Sequence, residues 1–154
     1  MAKRRDQIRM TDEEQRAFIE SRKSLQVATL NADGTPHLTT LWFGIVDDQI
    51  VFETFTKSQK IVNLRRDPRI AVLLEDGVEY DQLRGVSING RADLVDDPDQ
   101  VARYAEAVVR KNNPEVPADM IPEAAKQLAK KRTVVIVRPE RIASWDHRKL
   151  SGTY

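Results

Sequence analysis

The chain has no cysteine among its 154 residues. This absence excludes disulfide bonds, thiolate catalysis and cysteine-ligated metal sites, and it is typical of proteins in the reducing cytoplasm. No apolar run approaches the roughly 20 residues that a membrane-spanning helix needs. The basic first six residues are followed by no apolar stretch of the kind found in signal peptides, so we expect a solvated tail there.

The chain also has almost no net charge, because 25 lysines and arginines balance 24 acidic residues. This balance provides no broad basic surface of the kind that nucleic-acid-binding proteins carry. Only two histidines are present, His37 and His147, and the sequence contains neither H-E-x-x-H nor G-x-S-x-G. Zinc-protease and serine-hydrolase motifs are therefore absent, and we predict no metal site.

Short β-prone segments separated by turn residues make up most of the chain. The predicted strands are residues 24–30, 37–46, 49–55, 69–74, 86–94, 133–137 and 140–145, the last two separated by Pro139. Short antiparallel strands joined mostly by hairpins favour a closed or half-closed β-barrel over a doubly wound parallel sheet. The absence of G-x-G-x-x-G also argues against a dinucleotide-binding fold. At this length we expect one domain that spans residues 1–154.

Helix signals occur at four places in the connections. Residues 11–14, Thr-Asp-Glu-Glu, form a capping box at the start of the first helix. Two further helices are predicted from Pro98 to about Lys111 and from about Pro122 to Lys131. The remaining helix, Lys57–Arg66, follows the third predicted strand directly and is ended by a proline.

The start of the Lys57–Arg66 helix is the strongest functional signal. Ser58, Lys57 and Lys60 occupy the strand end and the first helical turn. At such a place the free backbone N–H groups and the positive end of the helix dipole face outward, and the lysines add full charge. This pattern predicts a phosphate site, although lysines in a first helical turn are also commonly just solvated.

Polar and aromatic residues on neighbouring strands indicate a planar ring beside this phosphate. Thr39, Thr40 and Trp42 lie on the second predicted strand, and Glu53 and Thr54 lie on the third. If these strands pair across the intervening turn, the five residues converge on one end of a sheet. Their backbone and hydroxyl groups could then hydrogen-bond the edge of a ring. For Trp42, packing in the core is an equally good interpretation.

The succession of hairpin strands, then F-E-T-F-T-K-S-Q-K-x-x-N-L, then D-P-R-I-A-V-L, resembles the pyridoxamine-phosphate-oxidase-like family of flavin- and deazaflavin-binding proteins. The resemblance implies a split β-barrel that acts as a homodimer, with its phosphate motif at Ser58, Gln59 and Lys60. Gln59 stands where an arginine is common in the flavin mononucleotide (FMN) oxidases. Glu53 and Thr54 stand where the family has an aromatic–Thr pair. Both departures weaken the case for FMN.

Four motifs spread over nearly the whole chain are similar to an actinobacterial branch of that family, grouped with the coenzyme F420-dependent oxidoreductases. They are residues 38–42, 57–69, 79–86 and 144–150. In the family, a tryptophan and an arginine near the C-terminus approach a cofactor that is bound mainly by the other subunit. The resemblance implies this role for Trp145 and Arg148. The alternative interpretation is a packed tail with surface charges.

The resemblance implies an F420-dependent oxidoreductase with the deazaflavin at the interface of a homodimer. The implied cofactor contacts are Ser58 and Lys60, supported by Lys57 and Gln59, for the phosphate; Thr39, Thr40, Leu41 and Trp42 for the ring edge; and Arg84 for the ring or the tail. The cofactor would carry a hydride transfer to a small enone, imine or quinone-type acceptor. His37 is a candidate proton donor, but a lone histidine on a strand is more often structural.

Two alternatives stay open at this point. One is an FMN-dependent oxidoreductase on the same fold. The other is a non-catalytic protein that carries a cofactor or another ligand, since some members of the family bind heme. Neither composition nor motif spacing separates these functions.

Overall fold

Seven strands form one antiparallel sheet in the computed structural model, which describes residues 3–150. The strands are β1 (Ser24–Leu30), β2 (Pro36–Trp42), β3 (Gly44–Val46), β4 (Gln49–Phe55), β5 (Arg69–Asp76), β6 (Arg84–Val95) and β7 (Arg132–Asp146). The helices are α1 (Arg4–Ile8), α2 (Asp12–Ser21), α3 (Gln59–Arg66), α4 (Pro98–Asn112) and α5 (Ile121–Ala129), with 3₁₀ turns at Tyr80–Gln82 and His147–Lys149. The predicted mainly β class is confirmed.

The sheet is curled into a half-barrel. Its strand order is β2-β1-β5-β6-β7-β4-β3, so β2 and β3 form the two edges. Only Phe43 separates these edge strands along the chain. Because neighbouring strands lie about 4.8 Å apart, one residue cannot span a flat sheet of seven strands, and the two edges must meet at Phe43.

The prediction of one continuous strand over residues 37–46 is wrong. Pairing changes partner at Phe43: β2 pairs with β1, and β3 pairs with β4. The Phe43 side chain is fully buried, and its carbonyl accepts a hydrogen bond from Asn112 Nδ2 at 2.7 Å. Next to it, a Cβ on Gly44 would lie 3.0 Å from the Val108 backbone nitrogen of α4. The corner therefore depends on a buried ring, an amide that binds the carbonyl, and a glycine.

The predicted break at Pro139 is also wrong. β7 pairs with β6 on both sides of this proline, with a register shift between Asn89 and Gly90. The shift leaves Glu140 outside the ladder as a β-bulge, and prolines inside sheets are confined to edges and to such bulges. A Cβ on Gly90 would meet the Arg138 carbonyl oxygen at 2.0 Å, which explains the glycine opposite the bulge.

The helices largely follow the sequence signals. At α2 the Thr11 side chain accepts from the Glu14 backbone amide, and the Glu14 side chain accepts from the Thr11 amide, as the capping box predicts. The tail expected to be solvated forms a helix, α1, over residues 4–8; this helix lies against β7, and its residues 4–7 are exposed. Residues 1–2 of that tail lie outside the described part of the chain. No helix among residues 3–150 is both long and apolar enough to cross a lipid bilayer.

Buried apolar side chains form two clusters on opposite faces of the sheet. The larger cluster fills the inside of the half-barrel and includes Phe52 of β4. The smaller one lies between the sheet and helices α4 and α5, and includes Val51. Since successive side chains of a strand alternate between faces, Thr54 shares the inner face with Phe52, and Glu53 shares the helix-covered face with Val51.

Candidate functional site

Helix α3 begins directly after β4, and its first turn has no side-chain cap. Ser58 is the N-cap residue, but its side chain accepts no hydrogen bond from the helix. Its Oγ is buried and has no partner among residues 3–150. The amides of a first helical turn have no intrahelical carbonyl to bind. A bound anion would satisfy both the hydroxyl and these amides, which is the arrangement of a phosphate site.

The two lysines at this helix start differ in their surroundings. Lys60 is half-buried, and this burial lowers the pKa of its ammonium group. Lys57 is exposed. Within the described residues neither lysine forms a salt bridge, so both positive charges are available to a ligand.

Gln59 is engaged by the protein itself. Its Nε2 donates to Asn63 Oδ1 at 2.8 Å, one helical turn further on. Asn63 is completely buried, and its Nδ2 donates to Thr29 Oγ1 and to Asn31 Oδ1, each at 3.0 Å. Arg66 adds a second donor to Asn63 Oδ1 at 3.2 Å. This cluster, here called the Asn63 network, joins α3 to the β1–β2 hairpin.

Strand β2 presents two different faces. Thr39 lies opposite Val27 of the inner core, and its Oγ1 is buried without a partner in the described part of the chain. Leu38 and Trp42 face the other way and are 69% and 45% exposed. Because β2 is an edge strand, half of its backbone N–H and C=O groups point away from β1 and stay unpaired. The strand thus offers hydrogen-bonding groups on its edge and an apolar outer face.

The other two ring-edge candidates on β2 follow the same alternation. Thr40 is exposed on the outer face, opposite Gln26 of β1. Gln26 Oε1 is buried and has no partner among residues 3–150. Leu41 is half-buried and packs against the inner core. The expected convergence of these residues with Glu53 and Thr54 through strand pairing does not occur, because β2 pairs with β1 and β4 pairs with β7.

Glu53 and Thr54 point to opposite sides of β4. Thr54 is buried on the inner face. Glu53 forms a salt bridge to Arg132 at 2.6 Å, and burial raises the pKa of its carboxyl group despite this partner. The Arg132 guanidinium also lies over the Phe55 ring, 4.5 Å from its centroid. In this arrangement Glu53 holds Arg132 and Phe55 at the strand end that leads into α3.

Arg84 and Arg148 are held by carboxylates near α2. Arg84 forms a salt bridge to Asp76 at 2.6 Å, and its guanidinium lies 5.2 Å from the centre of the Phe18 ring. Arg148 forms a salt bridge to buried Asp146 at 2.7 Å, and this contact is the main reason why the pKa of Asp146 is lowered. The structure therefore ties both arginines to the packing of the C-terminal segment.

Trp145 lies on the face of β7 opposite to that of its neighbour Asp146. It pairs with Gly85 of β6, and its ring covers that glycine so closely that a Cβ on Gly85 would be 2.1 Å from Cζ2. The residue is half-buried. By strand alternation its ring shares the outer face of the sheet with Leu38 and Trp42.

The described contacts thus bring the predicted phosphate residues next to the hairpin that contains β2. The connection runs through Thr29, which bonds Asn63 and lies opposite His37 of β2. His37 Nδ1 is buried and unpartnered within residues 3–150. No local pattern in the sequence marks Asn63, because Thr29 and Asn31, to which its side-chain amide donates, lie 34 and 32 residues away in the sequence.

These features define a class of protein: a curled antiparallel half-barrel whose fourth strand runs into an anion-ready helix. The chain belongs to the pyridoxamine 5′-phosphate oxidase family, whose sequence profile matches residues 11–146. The predicted resemblance and the split-barrel fold are thereby confirmed. No curated protein matches the chain.

Solved structures agree with this membership. The conserved hypothetical protein Rv2991 from Mycobacterium tuberculosis is 41% identical, with a TM-score of 0.89 over 99% of this chain and 96% of its own. A protein described as an F420 reductase is 26% identical, with a TM-score of 0.64 over 82% of this chain and 94% of its own. The heme storage protein HutZ from Vibrio cholerae has a TM-score of 0.68 over 86% of this chain and 94% of its own, but at 16% identity it shows the fold alone.

Proposed function

We propose that this protein binds coenzyme F420 through the first turn of α3 and acts as an F420-dependent oxidoreductase. The observation that carries the proposal is the buried, unpartnered Ser58 Oγ at an uncapped helix start. Half-buried Lys60 supplies positive charge at the same place. The 26% identity to an F420 reductase favours a deazaflavin as the occupant.

The residues fit the phosphate end of such a cofactor. Ser58 Oγ and the first amides of α3 donate hydrogen bonds, and Lys60 adds a charge-assisted one. When bound, the deazaflavin supplies hydride transfer to a small unsaturated acceptor. The chain itself would bind and orient the cofactor: the unpaired backbone groups on the edge of β2 would hydrogen-bond the ring edge, whereas Thr39 Oγ1 is buried on the inner face of the half-barrel.

We further propose that the site is completed by a second copy of the chain on the outer face of β2, β1, β5, β6 and β7. This face carries Ala28, Leu30, Leu38, Trp42, Ala71, Leu73, Ala143 and Trp145. Leu38 and Trp42 are exposed and the other six are half-buried, and an accessible apolar patch on one sheet face is typical of an interface between subunits. Trp145 then contacts the cofactor from the partner, while Arg84 and Arg148 keep their structural salt bridges.

The decisive experiment is a parallel titration of the purified protein with F420 and with FMN, followed by fluorescence and absorbance. The proposal requires tighter binding of F420. A preference for FMN assigns the site to a flavin oxidoreductase of the same fold, and binding of neither cofactor overturns the proposal. Tight F420 binding without turnover of a panel of enones, imines and quinones leaves a cofactor-binding protein and overturns the enzymatic part.

A further inference from the structure

A cavity of about 270 Å³ lies between helix α2 and the inner face of the half-barrel. Its floor consists of Ile50, Ile88 and Val137, which belong to the inner core and are 6%, 3% and 1% exposed. Ile142 of β7 lies opposite Ile88 and forms part of the wall, where its apolar side chain is 40% exposed. The cavity therefore leads from solvent to the apolar interior of the half-barrel.

This cavity is separate from the proposed cofactor site. Gln49 and Ile50, which line it, begin β4, whereas α3 follows the other end of that strand. Ile50 and Phe55 are five residues apart on β4, so at about 3.3 Å per residue they are separated by roughly 16 Å. The proposed subunit interface lies on the outer face of the sheet, so a second copy of the chain there leaves the cavity open.

Helix α2 turns a polar face toward this apolar floor. Its residues that line the cavity have the i, i+3, i+4, i+7, i+8 spacing of one helical stripe, and they are Asp12, Gln15, Arg16, Ile19 and Glu20. Ile19 is the single apolar member of the stripe, and the buried Phe18 beside it packs into the inner core. A surface helix normally covers a core with its apolar face. The floor of the cavity therefore lacks the apolar cover that a helix usually provides.

The rim of the cavity carries more negative than positive charge. Asp12 and Glu20 of α2 and Asp48 of the β3–β4 turn supply three carboxylates, and Arg16 is the one cation among the described residues that line the cavity. Within residues 3–150 none of these four side chains forms a salt bridge, so their charges are not neutralised by the protein. Asp48 has a φ of 60°, in the left-handed region that aspartate adopts more readily than most residues.

We infer that this cavity is a second binding site, which takes small cationic amphiphiles such as primary alkylamines. The alkyl chain lies on the apolar floor, and the ammonium group lies among the three carboxylates of the rim. An apolar cavity of about 150 Å³ is large enough for benzene, so a cavity of this volume accommodates a chain of about six carbons. This site goes beyond the proposed function and does not depend on it.

The floor and the rim contribute differently to binding. The floor favours a chain over water, because a water molecule there finds few polar partners. The carboxylates are exposed, and solvent and salt screen them. They therefore determine which sign of head group is preferred, while the apolar contact supplies most of the affinity.

Three ligands with the same chain and different head groups test the inference: n-hexylammonium, 1-hexanol and hexanoate. They are added at low salt and about pH 7, where the amine and the carboxylic acid are both charged, to protein labelled at its isoleucine methyl groups. In NMR spectra the signals of Ile50, Ile88 and Ile142 should shift, whereas those of Ile61 and Ile136, which do not line the cavity, should not.

The affinities should follow the charge of the head group. We expect hexylammonium to bind roughly tenfold more tightly than hexanoate at low salt, with 1-hexanol between them. Added salt should reduce this preference and leave the affinity for 1-hexanol unchanged, because the alcohol has no charge to screen.

A double variant separates the charge of the rim from the shape of the cavity. Glu20→Gln/Asp48→Asn leaves Asp12 and Arg16 to balance each other, so the preference for hexylammonium should disappear while 1-hexanol binds as before. Asparagine tolerates the positive φ of position 48. The matched control, Glu13→Gln/Asp47→Asn, removes two exposed carboxylates of the same helix and turn that do not line the cavity, and should keep most of the preference.

A second variant fills the cavity. Ile142→Trp enlarges a side chain of the wall and should weaken all three ligands alike. Thermal melts check that the variants are folded, and the isoleucine shifts of the wild-type protein locate the site even if this variant does not fold.

The inference is overturned if no ligand binds, if Ile61 and Ile136 shift as much as Ile50 and Ile88, or if hexanoate binds as tightly as hexylammonium at low salt. It is also overturned if Glu20→Gln/Asp48→Asn keeps the full preference for the cation. The experiment contains no F420, so these outcomes leave the proposed cofactor site unaffected.

Discussion

The side-chain amide of Asn112 on α4 donates to the Phe43 carbonyl at 2.7 Å, at the one residue where the chain passes from one edge of the sheet to the other. Both groups are buried. The same Nδ2 also donates to the Val108 carbonyl at 2.9 Å. One amide therefore fastens the corner of the half-barrel to α4.

Replacing Asn112 with alanine should destabilise the protein by about 1–3 kcal/mol, because the Phe43 carbonyl loses its partner while it stays buried. Urea unfolding followed by circular dichroism measures the effect. Asn113→Ala is the matched control, since the bond from Asn113 to Glu115 is solvent-exposed. An unchanged unfolding midpoint for Asn112→Ala would show that the corner does not depend on this bond.

Replacing Lys60 with alanine should weaken F420 binding by roughly ten- to a hundredfold, the equivalent of one charge-assisted hydrogen bond of about 1.5–3 kcal/mol. The salt dependence of binding should fall at the same time, because a charge contact is lost. Fluorescence titration at several salt concentrations measures both. Lys126→Ala on α5 is the control, and equal affinity in the two variants would place the phosphate elsewhere.

Replacing Leu38 with glutamate should convert the protein from a dimer to a monomer, because it replaces a 69% exposed apolar side chain of the proposed interface with a charge. Light scattering coupled to gel filtration measures the mass directly. Val78→Glu is the matched control: Val78 is 91% exposed in the loop after β5, away from this face. A dimeric Leu38→Glu variant, or a monomeric wild type, contradicts the proposed interface.

Replacing Gly85 with alanine should displace the Trp145 ring and cost about 1–3 kcal/mol, as overpacking of a tight contact does. Emission of Trp145, recorded in a Trp42→Phe background, should shift to longer wavelength as the ring becomes solvated. The double variant Gly85→Ala/Trp145→Ala should lose less stability than the two single variants together, because the alanine at position 85 no longer clashes with the Trp145 ring. If the double variant loses as much stability as the two single variants together, the two residues do not interact.

The pKa of Asp67 is lowered from 3.8 to about 2, chiefly by hydrogen bonds from the Arg69 side chain and backbone. The unfolded chain then binds more protons between these two values, so the contribution of Asp67 to stability is present above about pH 4 and is lost toward about pH 2. The stability difference between wild type and Asp67→Asn should shrink over this range. The same comparison in an Arg69→Ala background should show a smaller change, because the side chain that contributes most to lowering the pKa of Asp67 is absent.

Local signals in the sequence predicted local structure well. The capping box of α2, the strand Gln49–Phe55 and the α3 start after it follow from adjacent residues and appear where expected. The strand break at Phe43 was not predictable in this way, because Phe43 is itself β-prone and its partner Asn112 is 69 residues away. Likewise, Pro139 signals a break, but a bulge at Glu140 of the same strand lets the pairing of β7 with β6 continue on both sides of it.

In the candidate site, too, features set by adjacent residues were predictable and features set by distant residues were not. A helix that starts near Ser58 and Lys60 was predictable, because a serine and lysines follow a strand; that the Ser58 side chain leaves the first turn uncapped was not. The hydrogen bond from Gln59 to Asn63 was not predictable, because Asn63 is held in place by its contacts with β1 and the hairpin turn. The orientation of Glu53 away from Thr54 follows from strand alternation, but which face each occupies depends on the position of α4 and α5.

The corner at Phe43 is also part of a closed path of chain connections and hydrogen bonds through the molecule. β2 continues through Phe43 into β3 and β4, β4 continues into α3, and the Asn63 network returns from α3 to the hairpin that contains β2. The strand proposed for the ring edge and the helix proposed for the phosphate are thus two parts of one closed loop of covalent and hydrogen bonds. Such a loop is already ordered before a ligand arrives, so binding loses little conformational entropy.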